Sequence, residues 1–337
     1  MVTVTLELAF PFQVRTSKFT AVYSLPHMLI RGTMLTLVVF LAVALFAQTN
    51  PTSANSARAN YAQPNATQPD SPDWSEPFPP HRMIGNIYYV GSRGLASYLV
   101  ATPAGHILIN SNLKSSVALI RDNIEKLGFR FGDVKILLIS HGHFDHDGGS
   151  AEVKRLTGAN YMVMDGDVGV VESGGKVDFQ YGDAPSLLYP ATKVDRVLHD
   201  GDEVKLGDTV LTAHKTAGHT RGCTTWSLKV QEAGKTYDVV IVGSPNVNPG
   251  YKLVNNARYP EIADDYARGF GALKSLPCDV FLGAHGSYYG MEAKYPKLKA
   301  GEANPYIDPE GYKNYVAERE QTFRSELQKQ SAAAKKN

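Results

Sequence analysis

The chain has 337 residues, 43% of them hydrophobic, enough to bury a full-sized core in one large domain or two modest ones. Its 34 basic and 33 acidic residues are interspersed and leave a formal charge of +1, so no nucleic-acid or polyanion surface is expected. Two cysteines, Cys223 and Cys278, exclude a disulfide framework and any four-thiolate metal or iron–sulfur site, leaving room for one disulfide at most.

The first apolar stretch is Met34 to Ala47, with Arg31 before it and Gln48-Thr49-Asn50 after it. It is shorter than the roughly 20 residues that span a bilayer. It fits the hydrophobic region of a secretory signal with cleavage after Ala47, and translation could start at Met28 or Met34. Residues 1–47 are therefore read as a leader with a signal peptide, and the product as periplasmic or secreted. No stable membrane anchor is expected after cleavage; an uncleaved anchor is the competing reading. Residues 48–73, rich in Asn, Pro, Ser, Ala and Thr, cannot bury enough surface to order themselves and read as a disordered linker. Asn65-Ala66-Thr67 there matches a glycosylation sequon, a pattern common by chance.

From Trp74 to about residue 330 short apolar runs alternate with helical patterns, the signature of an α/β domain, followed by a tail over 331–337. Strands are predicted at Ile87–Val90, Tyr98–Ala101, His106–Asn110, Lys135–Ser140, Tyr161–Met164, Val210–Thr216, Thr224–Val230, Asp238–Val242 and Val280–Gly283. Val117, Ile120, Ile124 and Leu127 recur at helical spacing before Gly128 and predict a helix over Ser116–Leu127. Others are predicted over Ala151–Leu156, Glu261–Leu276 and Pro309–Gln328, the last docking through Tyr312, Val316, Phe323 and Leu327. No repeat of solenoid period is present.

One run carries chemistry: His141-Gly142-His143-Phe144-Asp145-His146, between the apolar Lys135–Ser140 strand and Gly148-Gly149. Three imidazoles and a carboxylate in six residues are costly to bury together, whereas a divalent cation satisfies all four. Nitrogen and oxygen donors suit zinc, and one loop cannot close two tetrahedral sites, so further ligands must come from elsewhere. His219 and His285 each follow a predicted strand and are flanked by small residues, and α/β sheets gather ligands at the carboxyl ends of their strands. His27, His81, His106, His199 and His214 have no second ligand type nearby and read as structural.

His141 to His146 with Gly149, then Gly218-His219-Thr220, then Gly283-Ala284-His285, together resemble the metallo-β-lactamase superfamily from Trp74 to the last helix. The resemblance implies an α/β fold, an αβ/βα sandwich of two mixed sheets flanked by helices. The motif is specific for that fold but not for β-lactams, since hydroxyacylglutathione hydrolases, lactonases, tRNA-processing nucleases and flavo-di-iron enzymes share it. Most of those relatives place a metal-bridging aspartate after the strand matching Asp238–Val242, and the first two β-lactamase subclasses a cysteine. Here Gly243-Ser244 stands, which narrows the resemblance to the third subclass. Trp74, Gly85 to Gly91, Gly250 to Leu253, Arg258 to Pro260 and Asp264 to Tyr266 look like that subclass too.

Carried over residue by residue, the resemblance implies two Zn2+ per chain, one held by His141, His143 and His219, the other by Asp145, His146 and His285. It implies a β-lactamase that opens the amide of penicillins, cephalosporins and carbapenems with a zinc-activated hydroxide oriented by catalytic Asp145, conferring antibiotic resistance. Ser244 and Asn246 would approach the carboxylate of this small-molecule substrate, and the loop Phe179-Gln180-Tyr181 would border the pocket, although ordinary aromatic packing accounts for Phe179 and Tyr181 equally well. Asn246, Arg221, Cys223 and Asn110 depart from the residues usual there. The alternative is a di-zinc hydrolase of the same fold acting on a lactone, ester or phosphodiester; an exported metal-binding protein without turnover ranks third.

Overall fold

The computed structural model describes residues 71–336. The signal, the sequon and most of the linker lie outside the described residues. Seven strands form the first sheet in chain order: β1 (His81–Ile84), β2 (Ile87–Tyr89), β3 (Tyr98–Thr102), β4 (Gly105–Ile109), β5 (Val134–Leu138), β6 (Asn160–Met164) and β7 (Arg196–Leu198). Pairing is antiparallel from β1 to β4 and parallel from β4 to β7. The second sheet holds β8 (Glu203–Leu206), β9 (Thr209–Lys215), β10 (Thr224–Glu232), β11 (Lys235–Val242) and β12 (Val280–Gly283), in the order β12-β11-β10-β9-β8, with only β11 and β12 parallel. This is the expected pair of mixed sheets.

Successive side chains point to opposite faces of a strand. In β4, Ile107 and Ile109 therefore join Ile136 and Leu138 of β5 in a core shared with Leu211, Trp226 and Val240 of the second sheet. Leu108 and Leu137, one residue along, join Val117, Ile120, Ile124 and Val153 of the helices Val117–Lys126 and Ser150–Thr157. Covered on both faces, these strands are apolar throughout, which is why they stand out in the sequence. The helix Ile262–Ser275 packs on the helix Pro309–Ala334 through Tyr266 and Phe323, whose ring centroids lie 5.2 Å apart. The Tyr312 hydroxyl caps that contact by donating to the Leu273 carbonyl at 2.6 Å. The last helix runs past the predicted Gln328 and takes in the first part of the expected tail. Among the described residues no helix is long and apolar enough to cross a membrane.

Three strands escaped prediction, β1, β7 and β8, and each lies at a sheet edge. Edge strands are kept short and charged so that they do not pair with another chain, which removes the apolar run that makes a strand legible. The helix Met291–Lys299 escaped because Pro296 lies inside it. Both cysteines are free, Cys223 buried and Cys278 half-buried.

Candidate metal centre

Strands β5, β9 and β12 end on loops that carry the histidines. After β5 the chain is held on two sides: Ser140 donates its N–H to Asn110 Oδ1 at 2.7 Å and accepts from the Thr224 N–H at 2.7 Å. His141 and His143 follow, and a one-turn helix, Phe144–Asp147, then turns Asp145 and His146 back toward them, with the His146 and Asp147 N–H groups both reaching the His143 carbonyl. His219 lies just past β9, after Gly218 at φ +131°. A Cβ on Gly218 would sit 2.5 Å from the Tyr266 ring, so only glycine fits there. His285 follows β12 after Ala284.

The six side chains converge, none more than 7% exposed. Asp145 Oδ2 and His146 Nε2 are 3.2 Å apart, His146 Nε2 and His285 Nε2 3.2 Å, and His285 Nε2 and Asp145 Oδ2 3.5 Å. Tetrahedral zinc with ligands at about 2.0–2.2 Å separates those ligands by about 3.3–3.6 Å, so this triangle has the dimensions of half a coordination shell. Donor atoms of His141, His143 and His219 also lie within 4.8 Å of one another, and His141 is equally close to Asp145 and His146, which makes the two groups neighbours.

The electrostatics agree. Burial first, then the neighbouring imidazoles, hold His141 well below its ordinary value of 6.5; burial and His143 push His219 down to about 3, and burial and His146 do the same to His285. Neutral imidazole is the form that ligates a metal. Burial alone would raise Asp145, but His146 and His285 outweigh it and keep the carboxyl ionised. Among the described residues Asp145 pairs with no lysine or arginine, only with those two histidines. Asp145 Oδ2 and the Nε2 atoms of His146 and His285 face one another with no described lysine or arginine among them. A divalent cation satisfies this donor set; no protein group present does. His219 Nδ1 lies 2.9 Å from the Asn246 carbonyl, which fixes its proton there and leaves Nε2 to the centre.

The sequence model of the metallo-β-lactamase superfamily matches residues 91–285, more than half of the chain. The chain belongs to the metallo-β-lactamase superfamily. It is a hydrolase of that superfamily, and the solved structures similar to it include class B3 enzymes. The native FEZ-1 metallo-β-lactamase of Legionella gormanii is 54% identical, with a TM-score of 0.76 over 76% of this chain and 98% of that one. LRA-12, a class B3 di-zinc metallo-β-lactamase from an Alaskan soil metagenome, is 34% identical, with a TM-score of 0.73 over 78% of this chain and 98% of that one. A metal-dependent hydrolase of Anaeromyxobacter dehalogenans is 27% identical over 229 residues, 63% of this chain and 69% of that protein.

The centre opens into a cleft walled by Trp74, Phe144, Tyr181, Leu187, Asn246 and Asn248. Tyr181 thus borders the cleft while Phe179 does not: Phe179 packs between the rings of Tyr251 and Tyr259, with centroids 5.1 and 5.0 Å away. Asn246 is at the wall, its Nδ2 donating to the Tyr288 hydroxyl at 2.9 Å. Ser244 lies behind it, buried, with Oγ 3.2 Å from the same hydroxyl. Arg221 stacks its guanidinium 4.4 Å over the Tyr259 ring, outside the centre.

The buried acids missed in the sequence include Asp167 and Asp178. Asp167 accepts from the Gly142 N–H (2.8 Å), the Gly222 N–H (2.8 Å) and the Thr220 hydroxyl (2.7 Å), tying the His141–His143 loop to the His219 loop. Burial raises its pKa against the pull of those three bonds. Its place just beyond β6, at the same sheet end as the ligands, was the available signal. Asp178 lies beside His143, in a glycine-flanked loop with no signal of its own.

Proposed function

We propose that this hydrolase is a zinc-dependent β-lactamase, opening the amide of penicillins, cephalosporins and carbapenems in the periplasm or outside the cell, and so conferring resistance to those drugs. The observation that carries the reading is the second triangle of donors, Asp145, His146 and His285, closed to 3.2–3.5 Å without help from β11. The loop after β11 offers Ser244, neither aspartate nor cysteine, and Ser244 is engaged with Tyr288 instead. The likeness to structures described as class B3 metallo-β-lactamases supports the same reading.

In this proposal His141, His143 and His219 hold one zinc ion and Asp145, His146 and His285 the other. A zinc ion held there would supply Lewis-acid chemistry, polarisation of a lactam carbonyl and a pKa for water lowered toward about 7. The protein supplies geometry. Asp145, ionised at neutral pH, is the acceptor that orients the attacking water. Asn246, at the cleft wall with Ser244 behind it, approaches the drug carboxylate, and Tyr181 borders the bound drug. No lysine or arginine lines the cleft among the described residues, so neutral donors and the metal centre carry recognition of the carboxylate.

The test is a panel of a chromogenic cephalosporin, a penicillin and a carbapenem, with a lactone, an ester and a phosphodiester beside them, each with and without chelator. Chelator-sensitive β-lactam turnover is expected. Intact β-lactams alongside a cleaved lactone, ester or phosphodiester would replace the reading with the alternative substrate class.

A further inference from the structure

His146, His285 and His219 turn Nε2 toward the centre, whereas the Nε2 of His143 is turned to a carboxylate. Its Nε2 lies 3.5 Å from Asp178 Oδ2, and both side chains are buried. Neither atom has another partner, and among the described residues Asp178 is the only acid His143 pairs with. The two nitrogens of an imidazole sit on opposite flanks of the ring. With Nε2 turned to Asp178, Nδ1 is left for the group formed with His141 and His219, whose ring centroids lie 4.8 and 4.9 Å from that of His143. His219 is the reverse case, with Nδ1 on the Asn246 carbonyl.

Asp178 is itself pinned. Its Oδ1 accepts the N–H of Gln180 at 2.9 Å and of Tyr181 at 2.6 Å, so the carboxylate cannot rotate Oδ2 away from the imidazole. The same turn presents the Tyr181 ring 5.1 Å from the His143 ring, at the cleft wall. One buried carboxylate therefore holds a ligand and a wall residue together.

We propose that Asp178 is a positioning residue for the first metal triad: it fixes the His143 ring with its proton on Nε2, so that His143 ligates through Nδ1. The proposal rests on the zinc reading above. A carboxylate behind a ligating histidine sets its tautomer and raises its basicity, and loss of such a partner costs about 10–100-fold in metal affinity. Asp178→Asn is the discriminating substitution. An amide keeps an oxygen for the Gln180 and Tyr181 N–H groups, so the turn survives, but it turns an NH2 toward the Nε2–H.

Zinc affinity of the full-length protein is measured by chelator competition in two backgrounds, one lacking each triad. In His285→Ala, where the first triad is intact, Asp178→Asn weakens zinc binding about 10–100-fold. In His219→Ala, where the second triad is intact, it changes nothing. Equal affinities in the first background, or equal losses in both, would overturn the proposal. If wild type binds fewer than two zinc ions, the zinc reading itself fails, a separate result. Should the Asn variant not fold, the imidazole nitrogens of zinc-loaded wild type decide the question by 15N NMR. A slowly exchanging Nε2–H on His143 and an Nδ1–H on His219 are expected, and an Nδ1–H on His143 would overturn the proposal.

Discussion

Gly218→Ala is the sharpest perturbation the fold offers, because one methyl group meets two independent obstacles. At φ +131° an alanine is strained, which costs about 1–3 kcal/mol. Its Cβ would also lie 2.5–2.8 Å from three atoms of the Tyr266 ring, which is 2% exposed and cannot swing out, and overpacking of this kind costs about 1–3 kcal/mol more. The sum, about 2–6 kcal/mol, is a large part of the roughly 5–15 kcal/mol by which a domain is stable. The damage reaches the centre as well. The Tyr266 hydroxyl donates to the Asn246 carbonyl at 2.6 Å, the same carbonyl that fixes the His219 proton. Urea unfolding of metal-free Gly218→Ala should show the loss in the midpoint at an unchanged slope, and zinc titration should show weaker binding at the triad containing His219. A variant within about 0.5 kcal/mol of wild type, the spread of harmless surface changes, would refute the reasoning.

Other outcomes follow from the same geometry. Asp167→Asn turns one acceptor oxygen into a donor facing the N–H groups of Gly142 or Gly222; a loss of about 1–3 kcal/mol and weaker first-triad zinc binding are expected, and wild-type values in both would contradict the clamp. Phe179→Ala removes a ring packed between Tyr251 and Tyr259 and should cost about 3–5 kcal/mol in unfolding experiments; a changed KM at full stability would place Phe179 at the substrate instead. For pH, burial and neighbouring imidazoles lower His219 and His285 to about 3 in the folded chain, against 6.5 ordinarily. Between those values the unfolded chain binds protons that the folded one refuses, so acid favours unfolding. Asp147, which burial raises to about 7, and the raised Asp167 and His143 oppose this, but His141 is lowered too. Melting of the metal-free protein should therefore fall as pH drops below about 6.5, and a flat profile from pH 7 to 5 would contradict that balance.

The parts of the fold legible in the sequence were those with a single physical cause. Val134–Leu138 is apolar at nearly every position because both its faces are covered, and the His141–His146 run is too costly to exist without a ligand. His219 and His285 were found because they end strands. The edge strands β1, β7 and β8 were lost because protection from pairing erases apolar pattern. Phe179 and Tyr181 stayed undivided because a loop has no periodicity to say which ring turns inward. Asp178 was invisible for a related reason: a lone acid between Val177 and Phe179 reads as solvated until the chain folds it against His143.

The central claim is that six named side chains form two adjacent metal sites. Anomalous diffraction at the zinc edge, from crystals of the protein grown with zinc, tests it most directly. Two peaks are predicted, one within bonding distance of His141, His143 and His219 and the other of Asp145, His146 and His285. A single peak, or peaks bound by other residues, would contradict the account.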